Sequence, residues 1–365
     1  MLPALPGRLG TTVRDLSPGY FALVMATGIV STAADADGAT RLSAVMLVVG
    51  LVCYLVLIVM NGWRIASYPR EFQADATSPR TAFSLFTFVA ASDVLGARLA
   101  GDGHYAATAV LLVLAGAAWL YLSYGTPLTL ITRRGGQSAL AGVNGTWFLW
   151  TVGTQSIVVA IASLARPVPG SLATVATALW AVGVVLYLLI ATLAVAGLLH
   201  FPVQPAALTP TYWVFMGAAA ISVLAGARLL SLPAGALPAG ALTAGSLLTA
   251  LHPVIAGLTV ILWAFGSWLI PLLAGLGVWR HLAGRVPLRY QPDVWALVFP
   301  LGMYCVASEA LGRAIHVPWL VSAGHGATWL AFAVWAVVFL AMLRSVMTGL
   351  LAPALGSQRP QRLGG

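Results

Sequence analysis

The run Trp213-Val214-Phe215-Met216-Gly217-Ala218-Ala219-Ala220, three residues beyond Pro210, decides the fold because it is one of five of its kind. The others are Tyr20-Phe-Ala-Leu-Val-Met-Ala-Thr-Gly28, Phe83-Ser-Leu-Phe-Thr-Phe-Val-Ala-Ala91, Trp147-Phe-Leu-Trp-Thr-Val-Gly-Thr154 and Trp295-Ala-Leu-Val-Phe-Pro-Leu-Gly302. Their aromatic anchors lie 63, 64, 66 and 82 residues apart. Four follow a proline placed where a helix begins, namely Pro18, Pro79, Pro210 and Pro292. The tetrapeptide Gly-Ala-Arg-Leu recurs at Gly96–Leu99 and Gly226–Leu229. Aromatic residues gather at membrane interfaces in any case. That tendency repeats neither the prolines nor the small residues nor the tetrapeptide, so the pattern reads as an internal repeat of five units.

Composition names the solvent of those units. The chain has 365 residues, 60% hydrophobic and 7% charged, at a mean hydropathy of +0.94. A soluble surface needs about a quarter charged residues, so a water-soluble globule is excluded. Thirteen Trp, twelve Phe and ten Tyr exclude disorder as well. A bilayer core of about 30 Å takes about 20 apolar helical residues. Ten such blocks are present, at 18–34, 42–62, 80–98, 105–124, 145–164, 172–198, 211–229, 247–278, 292–312 and 322–347. The eighth is too long for one straight span, and Pro253 and Pro271 mark where it bends or ends. Arg8, Arg14 and Ala34-Asp35-Ala36 loosely imitate a signal peptide around the first block. Its register with the other four units reads instead as a structural span. The expected fold is all-α integral membrane, ten transmembrane helices as five helical hairpins around a central pore. Residues 18–347 form the transport domain, between a short cytoplasmic N-terminus (1–17) and a short cytoplasmic tail (348–365).

The net charge of +9 comes entirely from arginine on the basic side. The arginines are scattered between apolar blocks, which suits a topology signal better than nucleic-acid binding. With ten spans, thirteen of them share one side: Arg8, Arg14, Arg64, Arg70, Arg80, Arg133, Arg134, Arg280, Arg285, Arg289, Arg344, Arg359 and Arg362. Arg41, Arg98, Arg166, Arg228 and Arg313 share the other. The positive-inside rule then puts both termini in the cytoplasm of a bacterial cell, the chain being multi-pass in its inner membrane. The sequon Asn144-Gly145-Thr146 has no access to glycosylation there.

Counting each odd helix from its anchor at about 100° per residue, offsets 4, 7, 11, 15 and 18 share one face. Offset 4 holds Val24, Thr87, Thr151, Gly217 and Phe299; offset 7 holds Thr27, Ala90, Thr154, Ala220 and Gly302. Five such faces around an axis make a narrow, neutral, threonine-dotted lumen. Arg98, Arg228 and Arg313 stand near its non-cytoplasmic mouth. Hydroxyl donors and a positive mouth suit a passing anion. Phe299 is the bulky member of its layer and a candidate gate, and Pro300 permits a bend beside it. Small residues and threonines also serve as packing contacts in membranes, and terminal arginines also snorkel. Ser92, Ser156 and Ser222, at offset 9, read as packing.

Intramembrane acids are functional candidates by default. Asp93 has no local partner and is the better candidate for proton coupling; Glu309 is the second, with Arg313 four residues on as its partner. Cys53 and Cys305 have no metal spacing, and His252 and His325 stand alone on different spans. No His-Glu-x-x-His or Ser/His/Asp arrangement emerges. Neither a metal nor a cofactor is expected, and an enzyme is the weaker alternative, with Asp93, His252 and Glu309 as its members.

Ser17-Pro-Gly-Tyr-Phe-Ala-Leu-Val-Met-Ala-Thr-Gly-Ile-Val30 resembles the first helix of the tellurite-resistance/dicarboxylate transporter family, which includes yeast malate and sulfite carriers and plant slow anion channels. Trp213–Ile221 and Trp295–Tyr304 look like its seventh and ninth helices. The resemblance implies a homotrimer, each protomer with five inner helices around its own pore. It also implies that a phenylalanine on the ninth helix blocks that pore, the position Phe299 occupies. The expected function is transport of small anions (C4-dicarboxylate, sulfite, tellurite or inorganic anions), as channel or carrier. Membrane lipid and the second and third protomers would be the other partners, and no nucleic acid is expected. The alternative of another class is a membrane-embedded enzyme or a structural membrane subunit without a transport path.

Overall fold

The computed structural model describes residues 8–132, 139–164, 168–200, 202–232 and 244–351, and every regular element among them is helical. The α-helices are α1 (Arg8–Arg14), α2 (Ala22–Ala36), α3 (Thr40–Ser67), α4 (Pro69–Thr77), α5 (Phe86–Gly101) and α6 (Tyr105–Thr132). They continue as α7 (Phe148–Ser163), α8 (Gly170–His200), α9 (Val214–Leu230), α10 (Ala244–Leu282), α11 (Trp295–Ala314) and α12 (Pro318–Leu351). Among the described residues nine helices are long and apolar enough to cross a membrane. The first block forms α2, apolar but only 15 residues long, about 22 Å by helical rise. Length alone therefore supports nine full spans and one short helix. Arg133, Arg134, Arg166, Arg359 and Arg362, with residues 1–7 and 352–365 of the terminal segments, lie outside the described residues.

The five repeats are hairpins. Each inner helix (α2, α5, α7, α9, α11) packs on the outer helix that follows it (α3, α6, α8, α10, α12). The inner helices touch in cyclic order, α2 on α5, α5 on α7, α7 on α9, α9 on α11, and α11 back on α2. A ring of five is thereby closed. The long inner spans are 72–94% buried, the outer ones only 17–33%. Such burial follows from sequence: the inner helices carry the small residues that let backbones approach, while the outer ones present Val, Leu and Ile, such as Val113 and Leu199, to lipid.

The repeated proline and aromatic have a structural counterpart. A 3₁₀ turn leads into four inner helices, at Ala82–Leu85, Gly145–Trp147, Pro210–Trp213 and Pro292–Val294. A hydrogen-bonded turn from Ser17 to Phe21 does the same for α2. Proline suits such first turns because its missing N–H has no partner to lose there. Adjacent lead-in turns interlock. The Trp147 indole donates to the Pro79 carbonyl (2.8 Å) and its ring lies 4.6 Å from that of Phe83. A side chain at Gly145 would collide with the Thr211 carbonyl. The sequon asparagine has a capping role here: Asn144 accepts from the Thr146 N–H (2.7 Å) and donates to the Arg80 carbonyl (3.1 Å). Neither Pro253 nor Pro271 ends α10, which runs through both.

Candidate transport site

Counting from Phe21, Phe86, Phe148, Trp213 and Trp295, the ring sorts into layers. Offset 4 gives Met25, Ala90, Val152, Gly217 and Phe299; offset 8 gives Ile29, Val94, Ser156, Ile221 and Met303; offset 11 gives Thr32, Ala97, Val159, Leu224 and Val306. The upper two layers, with Asp93 and Arg228, line one cavity of about 30 Å³. All five inner helices contribute and no outer helix does. The space holds one or two water molecules. It lies in the C-terminal halves of the inner helices, and the offset-4 layer sits one helical turn toward their N-termini. Every residue of that layer is buried, Met25, Val152 and Phe299 fully. The layer is closed in part because Gly217 has no side chain: the Pro300 ring sits 2.8 Å from where a Cβ would be, which seats Phe299-Pro300 against α9.

Two ionisable side chains line this space. Asp93 is 1% exposed, and its Oδ1 has no hydrogen-bond partner. The Ser156 hydroxyl lies 2.7 Å from Asp93 Oδ2 and 2.9 Å from the Gly153 carbonyl. One hydroxyl proton serves only one acceptor well at a time. With Asp93 ionised, Ser156 donates to it; with Asp93 protonated, the acid can donate to Ser156 Oγ and release the serine proton to Gly153. The Ser156 hydroxyl therefore has an acceptor in either state of Asp93. Arg228, on α9, lines the same cavity.

The threonines are placed elsewhere. Thr27 accepts from the Trp335 indole of α12 (3.0 Å) and donates to the Leu23 carbonyl (2.7 Å). Thr154 accepts from the Trp119 indole of α6 (2.9 Å). Both face outer helices, so in this conformation they are packing contacts. Thr87 ties the start of α5 to the Ser84 (2.7 Å) and Pro18 (3.4 Å) carbonyls. Thr151 is buried outside the cavity wall, its hydroxyl without a hydrogen-bond partner. Gly302 is the contact that closes the ring, a Cβ there meeting Ile29 at 2.9 Å and Val30 at 3.0 Å. The physical reason is register. The aromatics come in pairs, Tyr20-Phe21 and Trp147-Phe148, and one residue of slip turns a helix by about 100°. Ser156 consequently faces the cavity, whereas Ser92 bonds Tyr54 of α3 (2.7 Å) and the Ser222 carbonyl accepts from Trp180 of α8 (3.0 Å).

The expected ring of mouth arginines is also altered. Arg98 is buried against Ser43, which accepts from Nε (3.1 Å) and Nη2 (2.9 Å), and it pairs with Asp102 (2.7 Å) and Asp35 (3.3 Å). Arg313 pairs with Glu309. His325 of α12 bonds Asp37, with its other nitrogen 4.0 Å from Glu309. Glu309 is thus engaged by Arg313 and His325, and it does not line the cavity. Among the described residues, Arg41, Arg98, Arg228 and Arg313 at this end stand with four rim carboxylates, Asp35, Asp37, Asp102 and Glu309. A net positive mouth is absent from them, and Arg228 is the arginine of the three that reaches the cavity. His252 is exposed on outer helix α10, so Asp93, His252 and Glu309 do not converge. No group of three His, Cys, Asp or Glu among the described residues could hold a metal ion. At the opposite end Tyr290 accepts from the Trp295 indole (3.1 Å) and meets the Tyr20 hydroxyl (2.9 Å). Burial, and then that bond, hold its phenol pKa above the ordinary range.

The chain is similar to known membrane proteins and transporters. An uncharacterized transporter of Methanocaldococcus jannaschii is 26% identical over 363 residues, 96% of this chain and 98% of the relative. A second from that organism is 23% identical over 351 residues, 92% and 96% of the two chains. An uncharacterized membrane protein of Mycobacterium tuberculosis is 47% identical over 158 residues, 43% of this chain and 75% of that one. Residues 15–343 match the family described as SLAC1, voltage-dependent anion channel. Matched over nearly its whole length, the chain belongs to the SLAC1 voltage-dependent anion channel family.

Proposed function

We propose that the chain moves small anions along the axis of its inner ring, with a closed state in which Phe299 and Met25 block the path. The observation that carries this reading is the cavity itself, built from all five inner helices, buried from lipid and fitted with one arginine. Arg228 attracts the anion, the apolar layers hold it too weakly to trap it, and Asp93 with Ser156 links passage to protonation. C4-dicarboxylate, sulfite, tellurite and inorganic anions are the substrate classes. The cytoplasmic membrane of a bacterium is the location, with both termini inside and three protomers assembled. Arg14, Arg64, Arg70, Arg80, Arg280, Arg285, Arg289 and Arg344 at the lead-in end support that orientation.

Proteoliposomes loaded with malate, sulfite or chloride test the path. Phe299→Ala is expected to raise flux, at a stability cost of about 3–5 kcal/mol for a fully buried phenylalanine. Phe299→Leu, which keeps most of the volume, is expected to stay near the parent. Unchanged flux from folded Phe299→Ala protein would remove Phe299 as the gate, and absence of flux for every anion with and without a pH gradient would remove the function. Native mass measurement reports the number of protomers.

A further inference from the structure

A second and much larger space, about 620 Å³, opens on the membrane face of the ring. It lies between outer helices α3 and α6, with α4 across one end and, at its back, Phe21 just before inner helix α2 and Phe88 of inner helix α5. Its volume is that of a ligand pocket rather than a packing defect. Polar groups gather toward one end of it, beside the apolar Ile65, Phe72 and Ala76. Ile58, Ala118 and Leu122 line the deeper part; Asn61, Thr126 and Thr129 lie nearer the ends of α3 and α6, where Gln73 and Thr77 of α4 join them. Arg70 is exposed on α4, three residues before the lining residue Gln73 and seven before Thr77, on the same side of that helix. The helix's acids fall on its other side, and Asp75 is paired with buried Arg64 (2.6 Å).

We propose that this cleft binds one membrane phospholipid per protomer, an acyl chain between α3 and α6 and an acidic headgroup at Arg70. Each part of the molecule has its counterpart. The flanking helices are only 33% and 17% buried and stand in hydrocarbon. The apolar depth accepts a chain, the amide and hydroxyl end accepts ester and glycerol oxygens, and the cationic rim selects a negative phosphate diester over a zwitterion. Two glycines mark the space as unfilled by protein: a Cβ at Gly62 or at Gly125 meets nothing within 4 Å. The cleft's back wall also connects to the transport site. Phe21, Tyr54 and Phe88 form one aromatic cluster, with Phe21 to Phe88 at 5.3 Å, and Tyr54 bonds Ser92, the neighbour of Asp93. A chain seated there braces the start of α5.

The test is native mass spectrometry of the purified full-length protein with palmitoyl-oleoyl phosphatidylglycerol or the matching phosphatidylcholine. The parent should retain one phospholipid per protomer and prefer phosphatidylglycerol. Gly62→Phe with Gly125→Phe, whose rings enter the cleft, should lose that lipid; Gly125→Leu alone should weaken retention without unfolding. Arg70→Gln should abolish the headgroup preference and keep phosphatidylcholine retention. Unchanged lipid retention in folded Gly125→Leu and double-Phe protein overturns the site. A filled variant that sheds protomers instead of lipid also overturns it, since the cleft would then be an interface between copies. Equal retention of both headgroups by the parent overturns the acidic-lipid assignment.

Discussion

Replacing Asp93 with Asn isolates the charge in the cavity wall. The side chains are nearly isosteric, and the amide keeps a hydrogen bond with Ser156, now 2.7 Å from Oδ2, so thermal stability should change little. Electrostatics change more. An anion in a cavity this small sits about 5 Å from the carboxylate, and at an effective dielectric of about 20 the repulsion is roughly 3 kcal/mol. Arg228 in the same wall offsets part of that. The net penalty of an ionised Asp93 is therefore about 1.5–3 kcal/mol, a factor of roughly 10 to 100 in occupancy. Protonation removes the penalty, so parent flux should rise as pH falls through the range in which Asp93 titrates. The Asn variant should be flat over that range and, at its alkaline end, roughly 10- to 100-fold faster than the parent. The assay is initial-rate anion uptake into proteoliposomes with equal pH on both sides, which separates occupancy from driving force. An Asn variant that keeps the parent's pH slope would refute the assignment, as would one that is folded and slower at every pH.

Three further perturbations separate cavity wall from packing. Arg228→Gln should lower flux, more at low than at high ionic strength, whereas Arg98→Gln should leave flux unchanged and lower stability by about 1–3 kcal/mol through its lost charged hydrogen bonds; flux against salt and a melting curve read both. Gly217→Val places methyl groups where Pro300 already stands, so overpacking of about 1–3 kcal/mol is expected with a lowered Tm; an unchanged Tm would mean the α9–α11 contact is looser than described. Trp335→Phe removes the indole donor to Thr27 and should cost about 1 kcal/mol without altering flux. Altered flux there would restore Thr27 to the path.

Much of the architecture is legible because it repeats. Proline, aromatic anchor and small residues recur at near-constant spacing, and such spacing forces hairpins of one orientation, from which an inner ring follows. The facing of the helices was not legible to the same degree. In Tyr20-Phe21 and Trp147-Phe148 either ring could be the anchor, and choosing the first turns Thr27 and Thr154 inward, when both meet outer-helix tryptophans. Ser156 was hidden by the same slip. Trp213 and Trp295 are the anchors in both countings, so Gly217 and Phe299 keep their offset. Arg98 shows a different limit: its partners Asp35 and Ser43 come from the last turn of α2 and the start of α3, while Asp102 follows four residues on at the end of α5. The Asp102 pairing is an i,i+4 spacing open to sequence, but only tertiary structure brings Asp35 and Ser43 to the same guanidinium.

In the proposed gating scheme, the closed layer sets what any driver must supply. Opening the axis wets Phe299 and Met25, both fully buried, and exposing each costs about 1.5–3 kcal/mol. The two together come to about 3–6 kcal/mol, so an undriven ring would be open roughly one part in a hundred to one part in ten thousand. Neutralising Asp93 supplies up to about half of that by removing the repulsion an entering anion meets. The anion's own interaction with Arg228 has to supply the rest. In the proposed scheme a wall with a single arginine and a single titratable acid ties opening to occupancy: an empty cavity stays shut, and the anion and the proton each favour the other's presence. By linkage that coupling is reciprocal, so an anion bound on the axis must raise the proton affinity of Asp93 by the same factor that protonation raises anion affinity. Proton uptake on adding saturating malate, sulfite or chloride to the detergent-solubilised parent, absent in Asp93→Asn, measures that factor directly.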